Sequence, residues 1–289
     1  MSLLALPEWL VAVLEEVALG GGALLLVCGG LMCYVGWDQR QTAALLADAD
    51  HVTPAEAEPD TLVRLRGTVA TTADGTFASP IADRECVLAG YEIDEQYDTP
   101  TDSTWEQAAW GVTSVPFAIE ADGDRLLVDV EDTVVGNGTD DVFTPESVLV
   151  SDGVSLPAVR CRFERFDTHV ETDSGETPPP RLAQFLDSTD GLSTEPLAST
   201  PTVDESKRRY REGWLRPGDE VSVLGTVSRR ADAGTVTGHP DELVLTDDEE
   251  TPLRLSADPL DGGDGTAALL TGLGTGAVGL ASLAAVVVW

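Results

Sequence analysis

The sequence predicts a mainly β, barrel- or sandwich-like soluble domain with short helices, flanked by two transmembrane α-helices. Three observations predict it. Residues 17–37 (VALGGGALLLVCGGLMCYVGW) and residues 266–289 (TAALLTGLGTGAVGLASLAAVVVW) carry no charged side chain. At about 1.5 Å of rise per residue, each covers the roughly 30 Å hydrocarbon core of a bilayer. Between them lie many short β-patterned runs separated by turn signals such as Asp122-Gly123, Asn137-Gly138 and Asp152-Gly153. That pattern favours a barrel or sandwich over a parallel α/β sheet.

Residues 1–16 precede the first apolar stretch. Leu6, Leu10, Leu14 and Val17 recur at helical spacing, with Trp9 near the expected interface and Pro7 as an interruption. They read as an amphipathic lead-in. The lead-in has no basic n-region, and the residues before Cys28 and Cys33 do not suit a lipoprotein cleavage site, so an uncleaved anchor is expected. Residues 38–59 read as a helical stalk and linker, and the body covers 60–257.

Within the body, strands are expected at Leu62–Ala70, Glu85–Glu95, Val112–Ile119, Arg125–Val130, Val148–Val150, Ala158–Phe166, Glu220–Arg229, Asp241–Leu245 and Pro252–Leu255. Residues 167–204 are rich in Thr, Ser, Pro and acidic groups and read as a surface excursion with a short helix at Arg181–Leu186. Ser206–Trp214 (SKRRYREGW) reads as a second helix. Residues 258–265 form a linker to the second span. Leu65-Arg66-Gly67-Thr68-Val69 is echoed by Val223-Leu224-Gly225-Thr226-Val227, with Gly at a bend or a close approach.

Charge narrows the function. The chain of 289 residues has 51 acidic and 17 basic residues, a formal net charge of -34, and one lysine, Lys207. Such a surface repels nucleic acid, whose binding requires phosphate neutralisation. Dense carboxylates with almost no lysine fit adaptation to high salt, which screens self-repulsion. Carboxylate runs such as Asp140-Asp141 and Asp247–Glu250 are therefore expected to be solvated surface. The basic run Lys207–Arg211 has two readings: contact with anionic lipid headgroups, or pairing with surrounding carboxylates, the latter favoured.

No nucleophile elbow, phosphate loop, dinucleotide fingerprint or zincin helix is present, and no catalytic residue, cofactor or metal site is expected. The histidines His51, His169 and His239 are scattered, and Cys28 and Cys33 fall in the first span. Cys86 and Cys161 are expected as two separate buried residues, with a disulfide as the alternative if the body faces outside. Gly272 and Gly276 form a GxxxG through which the spans could pack on each other or on a second copy. Arg40 and Arg254 flank the spans on the body's side, which places the body in the cytoplasm. Asn137-Gly138-Thr139 is a glycosylation sequon that argues the other way, if it is more than a turn.

A family resemblance rests on several segments in order. Trp105, then Val115-Pro116-Phe117, then Asp122-Gly123 and Leu127–Val130 resemble the central part of the GIDE domain, a membrane-adjacent domain. Gly67, then Ser79-Pro80 with Cys86, resemble its opening strand and Ser-Pro…Cys turn. Pro217-Gly218 and Gly225 in YREGWLRPGDEVSVLG resemble its closing segment. The resemblance covers residues 60–257 and the order span, domain, span. It is shared with the mitochondrial two-span E3 ubiquitin ligase, and it implies a β-rich module beside a membrane. In that ligase a RING domain with two zinc ions follows the second span; the present sequence ends within that span and carries no such ligand set. The expectation is a membrane-anchored, non-catalytic scaffold, sensor or partner-binding module with an unidentified protein partner. The alternatives are a ligase-related membrane protein and a membrane enzyme acting on lipid or peptide. Trp105, Trp110, Val115 and Phe117 could line a partner surface, but core is the favoured reading for them.

Overall fold

A computed structural model describes residues 8–98, 103–131, 133–135, 152–173, 175–189, 192, 207–230, 242–248, 251–260 and 266–288. The chain divides into two compact units. One holds the two terminal helices, and the other is Asp48–Leu260.

In the first unit, α1 runs without a break from Glu8 to Asp48. The boundaries expected at 16 and 37 are therefore not breaks in the helix: lead-in, apolar stretch and stalk continue one another. Two helices, α1 and that of Thr266–Val288, are long and apolar enough to cross a membrane. They expose apolar side chains outward, Leu24 at 64% and Leu270 at 65%. They touch through small residues. A Cβ added to Gly29 would sit 2.7 Å from the Gly276 nitrogen, and one on Gly279 would sit 2.7 Å from the Gly22 carbonyl oxygen. Positions rising along one helix meet positions falling along the other, so the pair is antiparallel. The GxxxG is thus used within one chain.

The second unit is built from strands β1 (Asp50–His51), β2 (Leu62–Thr71), β3 (Phe77–Ala78), β4 (Glu85–Cys86), β5 (Leu88–Asp98), β6 (Ser103–Ser114), β7 (Phe117–Ala121), β8 (Asp124–Val128), β9 (Thr133–Val135), β10 (Gly153–Ser155), β11 (Val159–Arg162), β12 (Asp167–Thr172), β13 (Arg208–Leu215), β14 (Glu220–Arg229), β15 (Leu243–Thr246) and β16 (Leu253–Ser256), with helix α2 at Pro180–Ser188. The other terminal helix, Thr266–Val288, is α3.

Five strands close on themselves in the order β2-β7-β8-β15-β14 and back to β2. All pairs are antiparallel except β8 with β15. This is a closed five-stranded Greek-key barrel, the architecture that OB-folds also use. Closure leaves the barrel strands without a free edge, and alternation fills the interior. Val63, Leu65 and Val69 of β2 meet Phe117, Ile119, Leu126, Val128, Val221, Val223, Val227 and Leu245, all buried in one cluster. The echoed pentapeptides are neighbours: Leu65 stands opposite Val223, and Val63 opposite Gly225. A Cβ on Gly67 would lie 2.4 Å from the Glu120 carbonyl oxygen, so β7 can approach only a glycine there.

A second sheet, in the order β12-β13-β5-β6-β9, is antiparallel throughout. One face packs on α2 through Tyr91, Ile93, Tyr210, Leu182 and Leu186. The short helix expected at Arg181–Leu186 is therefore present, started by the preceding prolines and held by its buried leucines.

Several expectations need correction. Ser206–Trp214 does not form a helix; Arg208–Leu215 is strand β13, paired with β5 and β12. Its burial alternates, with Arg208, Tyr210 and Glu212 buried and Arg209 and Arg211 half-buried, which is a period of two. The excursion expected from residue 167 opens with a paired strand, β12. The single strand expected at Val112–Ile119 is two, because Pro116 lacks the N–H that would continue the ladder. Arg254 does not flank a span; it is buried in β16 opposite Leu224. Val148–Val150, Asn137, Asp140-Asp141 and His239 lie outside the described residues.

Candidate functional site

Among the described residues of the second unit, ion pairs concentrate where β5 pairs with β13. Register places Arg208 opposite Glu95, Arg209 opposite Asp94 and Arg211 opposite Glu92. Each opposite pair is an ion pair. Arg208 Nε donates to Glu95 Oε1 at 2.7 Å, Arg209 Nε to Asp94 Oδ2 at 2.5 Å, and Arg211 Nη1 to Glu92 Oε1 at 2.9 Å. Cross-strand partners of opposite charge support such pairing, and burial makes each charge dependent on its partner. Arg209 also stacks 4.7 Å from the Trp105 ring centroid, and Arg211 lies 4.8 Å from that of Phe166. Lys207 pairs with Asp173 at 3.0 Å near the surface. The basic run is thus engaged with carboxylates, as the favoured reading of the sequence held.

Glu92 is the chemically unusual member. Burial pushes its carboxyl up to about 7, with the Asp94 charge adding to the rise and Arg211 opposing it. Gln107 Nε2 donates to Glu92 Oε2 at 2.8 Å. A carboxyl poised near neutrality beside a second carboxyl can exchange a proton in the physiological range. The first depression on this unit runs past Arg66, Trp214 and Asp258, and a second past Phe77, Arg181 and Phe185; neither includes Glu92 or Asp94.

Glu212, on the α2-facing side of β13, holds the Ser79-Pro80 turn. Ser79 Oγ donates to Glu212 Oε2 at 2.7 Å, Ile81 N to Oε1 at 2.9 Å, and Ala82 N to Oε2 at 2.8 Å. Burial raises the Glu212 carboxyl while these three donors pull it back down. Arg181 of α2 bonds the Ala78 carbonyl oxygen at 2.6 Å and pairs with Asp83. His169 Nε2 lies 3.2 Å from the Glu212 backbone oxygen. Serine, glutamate and histidine meet here, yet the serine proton goes to the carboxylate and the histidine addresses a carbonyl. The arrangement is a turn clamp and lacks the nucleophile–base contact a triad needs.

Several other residues that carry the resemblance also serve the backbone, while Trp105 stacks on Arg209. Gly67 admits β7, as above. Phe117 is in the barrel core, and the Pro116 carbonyl oxygen accepts from Thr72 Oγ1 at 2.7 Å. Gly218 has φ +93 in the turn before β14, where its N–H donates to the Val69 oxygen at 2.8 Å. A Cβ on Gly225 would lie 2.6 Å from Leu253 Cδ1. Trp110 and Val115 pack against the core rather than forming a separate surface. Cys86 and Cys161 are both buried and free. Burial and the nearby Glu212 charge push the Cys86 thiol up to about 12, and burial alone raises that of Cys161, so both are inert.

Among the described residues, no group of three His, Cys, Asp or Glu side chains is placed to hold a metal ion. The buried acids Glu92, Asp94, Glu95 and Glu212 were not singled out from the sequence, where excess surface carboxylate hid them. A signal was present: Tyr91-Glu92-Ile93-Asp94 alternates apolar with acidic, and Arg209-Tyr210-Arg211 alternates basic with aromatic. Comparison of the chain with protein-family models, curated proteins and solved structures finds no match.

Proposed function

We propose that this chain is a membrane-anchored, non-catalytic, GIDE-like module that serves as a scaffold or partner-binding domain at the membrane surface. The observation that carries this reading is the use of the resemblance residues. Gly67, Ser79, Gly218 and Gly225 each hold a turn or a close strand approach, and none points its chemistry into an open cleft. A family signature made of architectural positions describes a shape to be presented, and function then resides in what that shape contacts. Tethering through α1 and α3 would keep that surface beside the bilayer and the protein in the cell membrane. Arg40 on α1 favours a cytoplasmic body, now without support from the buried Arg254. The experiment is in-cell cross-linking of the full chain at native salt. A discrete protein partner that disappears when the body is replaced by an unrelated barrel supports the reading. Cross-links that persist after the replacement refute it.

A second reading is favoured by one observation, the proximity of Glu92 to Asp94 with Glu92 near neutrality. Such a pair could serve acid–base chemistry on a lipid or peptide. A hydrolytic activity abolished in both Glu92→Gln and Asp94→Asn, with folding intact, would establish it over the scaffold.

A further inference from the structure

A groove of about 710 Å³ runs between α1 and α3. Cys33, Tyr34, Trp37 and Arg40 line it from α1, and Leu269 and Leu273 line it from α3. The α1 residues recur every three or four positions and so share one face. Their character changes along the axis. Cys33 and the two leucines form an apolar end, and about 10 Å further along α1 stands Arg40. Arg40 is the one basic residue in either helix. Its Nη2 donates to Thr266 Oγ1 at 3.0 Å, which fixes the guanidinium at the groove. Trp37, 59% exposed, sits at the same end, where an indole suits the headgroup level.

We infer that this groove holds one phospholipid, its phosphate on Arg40 and an acyl chain along Cys33, Leu269 and Leu273. The inference rests on the membrane reading of α1 and α3 and deepens it by naming a ligand. Charge decides the class. A guanidinium matches a phosphate oxygen pair, and a cationic site between spans at the interface is a recognised means of holding an acidic headgroup. The apolar end matches a hydrocarbon chain, so a lipid satisfies both ends where a free anion satisfies one. The helices touch at Gly22, Gly29, Gly272 and Gly279, and again where Cys33 meets Gly272 and Leu269 and where Arg40 meets Thr266. The groove therefore follows the helix seam at its Arg40 end.

The test is native mass spectrometry of the full chain in a neutral detergent, with phosphatidylglycerol and diacylglycerol of matched chains in competition. The expected result is one phosphatidylglycerol per chain, preferred at least fivefold. Arg40→Gln should bring the two lipids to parity, and Leu273→Trp should expel the lipid with Arg40 intact. Equal retention of diacylglycerol, no effect of Arg40→Gln, or displacement by inorganic phosphate overturns the inference. Alkaline carbonate extraction of the same chain separates the two claims. Release into the supernatant overturns the membrane reading and the inference with it. A chain that pellets but shows no lipid preference overturns the inference alone.

Discussion

Arg208 and Glu95 meet inside the second unit with Nε and Oε1 2.7 Å apart, at 5% and 0% exposure. Their strands are far apart in the chain, so the pair joins two segments that local sequence does not connect. A buried pair stabilises little relative to apolar substitutes, yet losing one member leaves a charge without its counterion. Arg208→Ala is expected to cost about 3–5 kcal/mol. Replacing both by Met and Leu should recover most of the loss. Urea unfolding of the two variants at one fixed salt concentration checks this; equal destabilisation of single and double variants would contradict it.

Glu92 makes stability depend on pH in a defined direction. Its carboxyl rises from 4.5 to about 7 in the fold, so the folded state holds a proton that the unfolded chain has lost. Its contribution is fully present below 4.5 and is lost as pH rises through about 7. Glu92→Gln, neutral at every pH, should flatten the fall in unfolding free energy across that window. Chemical denaturation from pH 4.5 to 8 measures the slope for both chains.

Gly272 lets α3 lie directly against α1. A Cβ there would lie 2.7 Å from both the Cys33 nitrogen and the Gly29 carbonyl oxygen, backbone atoms that cannot turn aside. Gly272→Val should therefore part the helix pair and lower its thermal stability in detergent, whereas Gly274→Val, whose Cβ meets nothing within 4 Å, should leave it unchanged. Equal effects of the two substitutions would contradict close packing of the helices at Gly272.

Glu212 satisfies three donors in the Ser79-Pro80 turn, and Glu212→Ala strands them all. The expected loss is about 2–4 kcal/mol, since each buried unsatisfied group costs on the order of 1–3 kcal/mol and relaxation recovers part. Glu212→Gln keeps an acceptor oxygen and should cost less than half as much. Thermal unfolding ranks the two variants, and equal losses would mean that the clamp is not what Glu212 provides.

Legibility in the sequence followed the range of the forces. The apolar stretches, the strand Glu220–Arg229 and the helix near Arg181 depend on local pattern, and each was readable. β13 was not, because Lys207–Arg211 is a run of good helix formers whose strand character comes from carboxylates on β5. Barrel closure was legible only as a class. The register of Leu65 with Val223 joins residues 158 positions apart, and the shared Gly-Thr-Val was its faint trace. The acid–arginine face was hidden by composition: with 51 acidic residues, the few that are buried look like the many that are not.

The central claim is that α1 and α3 both cross one membrane and hold the body on one side. Protease protection in sealed vesicles tests it, using the full chain at native salt with a tag at each end. The two tags should share one protection state, with the body in the opposite one. A tag protected together with the body, or both tags and the body cleaved alike in sealed vesicles, would contradict it.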